Sequence, residues 1–175
     1  MIMNMSDSQF IFAMLVTFQI KHLVGDYLLQ TGWMVRGKAL SGPGFIWPLS
    51  VHVGVHALTT LAIVMVVNPA LWYLALFDFA VHFLMDRIKS GPKYLGRFTN
   101  MNKQSFWIPF GIDQMVHHCT HYFIIWQLFV SRQETVYSPF LFQNTFFNKG
   151  ILCRSALCNK LLMMMPGSVQ SLLFP

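Results

Sequence analysis

The chain has 175 residues, of which 55% are hydrophobic and only 10% charged, with a mean hydropathy of +0.51. A soluble domain of this size carries about 25% charged residues, so the composition argues against a water-exposed fold and for one domain in a bilayer. The net charge of +6 is spread through loops with no recognisable nucleic-acid-binding module, so nucleic acid is not expected as a partner. Cys119, Cys153 and Cys158 give neither a paired framework nor zinc-knuckle spacing.

Met1 to Gln9 lack the basic stretch of a cleavable signal, so the first apolar segment is expected to stay as a membrane helix. That segment runs about 10–29, apolar up to Ile20 and then carrying Lys21, His22, Asp26 and Gln30. A loop from Thr31 to Pro48 is broken by glycine and proline, with Trp33 and Trp47 as interfacial anchors. The second segment, about 49–67, reverses the order: His52 and His56 come first and a purely apolar run follows. Asn68-Pro69 is a compact turn into the third segment, about 70–88, which places Asp78, His82 and Asp86 four residues apart. A basic loop with Lys89, Lys93, Arg97 and Lys103 leads to the fourth, about 106–130, which opens on Asp113, His117, His118 and His121.

Four spans near the length of a bilayer crossing define an all-α, integral membrane four-helix bundle over residues 1–130. Residues 131–175 form a tail of different character, either a short interfacial helix or a poorly ordered segment. The first and third loops hold nearly all the positive charge beside the membrane, so both are expected in the cytoplasm with both termini outside. The expected setting is a cytoplasmic (inner) membrane.

This topology gathers the polar pairs. His22/Asp26, His52/His56, His82/Asp86 and Asp113/His117 all fall in the cytoplasmic half, and each has i,i+4 spacing, which puts both members on one helix face. Five imidazoles and three carboxylates at one depth match the donors of a divalent metal site, mononuclear with supporting carboxylates or dinuclear. Zinc, iron and manganese all accept such ligands. A metal-free proton or ion pathway and polar packing between helices are the alternatives. Asp78, one turn deeper than His82, is expected to support the set rather than ligate, and His121 to ligate or support. His118 points away. Asp26 or Asp86 could ligate or act as general base, and Lys89 could hold an anion. Arg87, Lys93, Gln30, Gln114 and Tyr27 are weaker candidates near the same mouth. No phosphate-binding glycine loop, nucleophile elbow or His-Glu-x-x-His motif is present.

His22-Leu-Val-Gly-Asp26-Tyr27-Leu-Leu-Gln30, His52-x3-His56, His82-Phe-Leu-Met-Asp86-Arg-Ile-Lys89 and Asp113-Gln114-x-x-His117 resemble, in order, the bacterial and phage membrane family catalogued as domain-of-unknown-function family 3307. The resemblance covers about 10–130 and implies an integral membrane fold, without implying a reaction; the tail after Ser131 departs from the pattern. The ligand types are more distantly similar to those of membrane-bound metal-dependent hydrolases. The leading expectation is therefore a metal-dependent hydrolase acting on an anionic or lipid-linked, phosphoester-type substrate at the cytoplasmic face. The rivals are a metal-ion or proton transporter and a non-enzymatic membrane effector. A transporter would need a homo-oligomer to complete a path, because the outer helix halves lack polar residues.

Overall fold

The first helix, α1 (Asp7–Leu23), opens on a capping box. The Gln9 N–H donates to Ser6 Oγ at 3.3 Å, and the Ser6 N–H donates to Gln9 Oε1 at 2.9 Å. Phe10, Met14 and Phe18 recur at every fourth position and are buried, so this stripe faces inward. At its end the helix widens into a π turn, Val24–Leu28, closed by the Leu29 N–H on the Val24 carbonyl at 2.9 Å. That turn carries Asp26. The computed structural model describes the backbone of residues 5–147 and the side chains through 133; every described element is helical.

The stretch Thr31 to Pro48 is not the plain loop that its glycines and prolines suggest. It contains a short helix, α2 (Gly32–Lys38), capped by Thr31 Oγ1, which accepts from the Met34 N–H at 3.4 Å. Gly37 permits it: a Cβ there would overlap the Pro48 ring, so α2 lies flush against the next helix. Gly42, at a φ of 82°, turns the chain into a 3₁₀ turn at Pro43–Phe45. From there α3 (Ile46–Val67) starts three residues earlier than its apolar pattern indicates. Asn68 Oδ1 accepts from the Ala70 N–H at 3.1 Å, and a turn at Pro69–Leu71 leads into α4 (Tyr73–Ser90).

The last described helix, α5 (Gln104–Phe147), does not end near Val130. Ser131 to Ser138 contains no glycine or proline, and a change of polarity alone does not stop a helix. Met1–Arg132 forms one compact unit and Gln133–Pro175 a second. Arg132 closes the first, donating to Asp7 Oδ1 at 3.2 Å and to the Met5 carbonyl. The rest of the expected tail, with Cys153 and Cys158, lies outside the described residues.

One end of the first unit is apolar, built by Phe10, Phe18, Val64, Leu74, Ile124 and Leu128 from α1, α3, α4 and α5. The other end buries histidines, aspartates and lysines. Among the described residues, as many polar or charged side chains as apolar ones are buried. Large apolar residues meanwhile face outward, among them Phe12, Trp47, Leu58, Val66, Leu76 and Leu84. Two stretches, Asp7–Leu28 and Pro43–Val67, are long and apolar enough to cross a bilayer by length and composition. The 18 residues of α4 include Asp78, Asp86, Arg87 and Lys89, too many charges to qualify alone.

Candidate metal centre

All eight paired residues reach the polar end, and there they separate into two neighbouring groups and a deeper layer. The first group is His22, Asp26 and His56. The π turn brings Asp26 Oδ2 to 3.3 Å from His22 Nε2, and Asp26 Oδ1 accepts from His56 Nε2 at 3.1 Å. Gly25 makes this approach possible, because a Cβ there would stand 2.5 Å from His56 Nε2. The second group is Asp86, Asp113 and His117, from α4 and α5. His117 Nε2 lies 3.2 Å from Asp113 Oδ1 and 3.9 Å from Asp86 Oδ1. His52 stands between the groups, its Nε2 3.1 Å from Asp86 Oδ2 and 3.5 Å from Asp26 Oδ1. The Gln30 side-chain amide lies beside the same ring, 3.2 Å from Nδ1 and 3.1 Å from Nε2.

The distances suit an ion. Two donor atoms on a tetrahedral zinc, with bonds of about 2.0–2.1 Å, stand roughly 3.3–3.4 Å apart. The His22–Asp26, His56–Asp26 and His117–Asp113 separations fall near that value. Asp113 Oδ1 approaches His117 yet accepts no hydrogen bond. Asp78 Oδ1 stands in the same relation to His82 Nδ1, so both layers share this feature. His22 Nδ1, His56 Nδ1, His82 Nε2, His117 Nδ1 and His121 Nδ1 are also buried without a hydrogen-bond partner. Such unmet polar capacity is uncommon in an interior and calls for an ion or ordered water.

The deeper layer contains the chief departure from the expected pairing. His82 does not face Asp86; its Nδ1 turns to Asp78, 3.1 Å from Oδ1 and 3.2 Å from the backbone carbonyl. The fully buried Asp78 also accepts from Lys21 Nζ and from Thr60 Oγ1, each at 2.7 Å. Lys21 Nζ in turn lies 3.3 Å from His121 Nε2. His82, His121 and His22 form a third set of ligand-spaced atoms, with His22 shared between the layers. His82 stacks on His117 at 4.0 Å between ring centroids and on His56 at 4.5 Å.

Lysines surround the carboxylates. Lys38 Nζ is 3.3 Å from Asp86 Oδ2, and Lys89 Nζ is 2.6 Å from Asp113 Oδ2 and 3.6 Å from Asp86 Oδ1. Lys38 is held there by its own backbone, whose carbonyl accepts from Arg87 and from Ser90 Oγ, each at 3.1 Å. Arg87 thus fastens α2 to α4 with its guanidinium over the Phe45 ring at 3.6 Å, and does not reach the cluster. Gln114 bridges the groups: its Oε1 accepts from His22 Nε2 at 3.1 Å and its amide donates to Asp113 at 3.1 Å. Tyr27 and Lys93 are exposed, and His118 leans on Gln19 and Tyr122. Sequence reasoning gave no role to Lys21, Lys38 and Thr60. Lys21 and Asp78 did carry a signal, as opposite charges set deeper in their apolar segments than the other charged residues.

These features define a helical protein with a buried His/Asp core able to coordinate metal ions. The chain belongs to the family described as Protein of unknown function (DUF3307), whose model matches residues 14–147. The match runs past Ser131, where the tail had been expected to depart from the family. No curated protein and no solved structure matches the chain.

Proposed function

We propose that the chain is an integral membrane four-helix bundle that holds divalent metal at its cytoplasmic half and hydrolyses an anionic or lipid-linked substrate there. The observation that carries this reading is the pair of ligand-spaced groups, His22/Asp26/His56 and Asp86/Asp113/His117, buried side by side. The inside-out distribution of side chains supports the membrane setting, since charges among helices are tolerable in lipid when they pair inside a bundle. His22, Asp26 and His56 would hold one ion and Asp86, Asp113 and His117 another, each zinc, iron or manganese, with His52 between them. When bound, the ion acidifies water and polarises the bond to be cleaved. Asp86, enclosed by His52, His117 and two lysines, suits a ligand. Asp26 is the more open carboxylate, its side chain 16% exposed, and suits a ligand beside entering water. Lys89 suits the anionic group of the substrate.

A transporter is the weaker reading. The Lys21/Asp78/Thr60 layer takes the polar chain one turn deeper, but Phe10, Phe18, Val64 and Leu128 then fill the helix interior. The test is elemental analysis of protein purified in detergent without chelator and reconstituted with zinc, iron or manganese. At least one equivalent is expected, falling by half or more in the His52→Ala/His56→Ala variant. Metal-free protein would sink the reading, and metal without hydrolysis of any phosphoester or lipid substrate would leave only binding.

A further inference from the structure

Beside the candidate centre lies a cavity of about 530 Å³, within the roughly 300–1,000 Å³ of small-molecule sites. Its walls are of two kinds. Gln30, Lys38 and Lys89 line one side, and each also touches the centre, through His52, Asp86 and Asp113 respectively. Phe98, Met101, Phe106 and Phe110 are the large apolar side chains of the remaining wall, with Lys89 Nζ 5.6 Å from the Phe110 ring. The cavity is therefore amphiphilic, cationic at its inner end and aromatic beyond.

Charge balance specifies what the inner end would take. Asp26, Asp86 and Asp113 exceed Lys38 and Lys89 by one negative charge, while Lys21 and Asp78 neutralise each other. Divalent ions with neutral imidazoles reverse this: one leaves an excess of one positive charge, and the two proposed above an excess of three. A buried net charge is costly until it is paired. Lys38 and Lys89 hold the Oδ2 atoms of Asp86 and Asp113 while the Oδ1 atoms face His117, so both ammoniums would stay at the cavity wall with an ion held there. We propose that this cavity binds an amphiphile with a phosphate head group, the phosphate between Lys38 and Lys89 and the chain along Phe98, Phe106 and Phe110, and that metal at the centre strengthens the binding. This deepens the reading of the cluster as a metal centre and rests on it.

The test measures binding to the full chain in neutral detergent by native mass spectrometry, alongside elemental analysis of the same samples. The probes are dioctanoyl phosphatidic acid, dioctanoylglycerol and inorganic phosphate, each with metal-loaded and chelator-treated protein. Phosphatidic acid is expected to bind at least tenfold more tightly than either other probe, and at least tenfold more weakly after chelation. Lys38→Gln/Lys89→Gln should lose tenfold in affinity for phosphatidic acid. Phe98→Ala/Phe106→Ala, which leaves the charged wall intact, should lose about threefold for phosphatidic acid and nothing for phosphate. Equal binding of phosphate and phosphatidic acid overturns the amphiphile, and equal binding of the neutral diacylglycerol overturns the anion site. Metal-loaded protein that ignores phosphatidic acid overturns this proposal and leaves the metal centre standing. Protein that binds phosphatidic acid but takes up no metal overturns the coupling and the centre together.

Discussion

Gly25 shows how much one missing methyl decides. The His56 ring occupies the space a Cβ would need, so the α1 backbone and the imidazole share one van der Waals boundary. Gly25→Ala is expected to push His56 away from Asp26 and to lower metal uptake severalfold while the helices still form. Gly54, on α3, is the control, because a Cβ there meets nothing within 4 Å. Gly54→Ala should leave metal content unchanged and add about 0.5–1 kcal/mol of stability through helix propensity. Elemental analysis and thermal unfolding in detergent read both outcomes. Equal metal content in the two variants would remove the packing role given to Gly25.

Between elements, the Lys21–Asp78 pair is the strongest constraint on how α1 meets α4. The lysine side chain is 3% exposed and the aspartate 0%, so neither has water to fall back on. Removing one partner strands the other charge, at a cost of about 3–5 kcal/mol, whereas replacing both with apolar residues is often close to neutral. Asp78→Leu alone should therefore lower the midpoint of thermal unfolding sharply, and Lys21→Met/Asp78→Leu should recover most of the loss. If the double variant is as unstable as the single one, the pair does more than hold the helices. Lys21 and Thr60 satisfy Asp78 Oδ2, yet both levels keep unmet polar atoms: Asp78 Oδ1, His82 Nε2 and His121 Nδ1 in the deeper layer, and Asp113 Oδ1 with the His117 and His56 Nδ1 atoms above it.

Within the first unit, an apolar core at one end and a charged core at the other set an axis along the helices. The basic stretches around Arg36 and Arg97 both lie at the charged end of that axis, and the Asn68-Pro69 turn joins α3 and α4 at the other. The positive-inside rule then makes a topological prediction. Single cysteines at Arg36 and Arg97 should be labelled only from the cytoplasmic side of sealed vesicles, and one at Asn68 only from the outside. Labelling of Arg36 and Arg97 from outside would invert the orientation and put the centre in the outer leaflet.

The sequence alone determined the helical character, the turn at Asn68-Pro69 and the gathering of the His/Asp pairs at one end of the helices. These depend on local periodicity, and i,i+4 spacing places two side chains on one face whatever that face meets. Only the tertiary structure decided the partners. It gave His82 to Asp78 rather than Asp86, brought Lys38 inward on a short helix hidden in a glycine-rich stretch, and set His56 against Gly25. Such contacts depend on the rotation and spacing of helices distant in the chain, which side-chain volume and buried charge settle together and no single segment encodes.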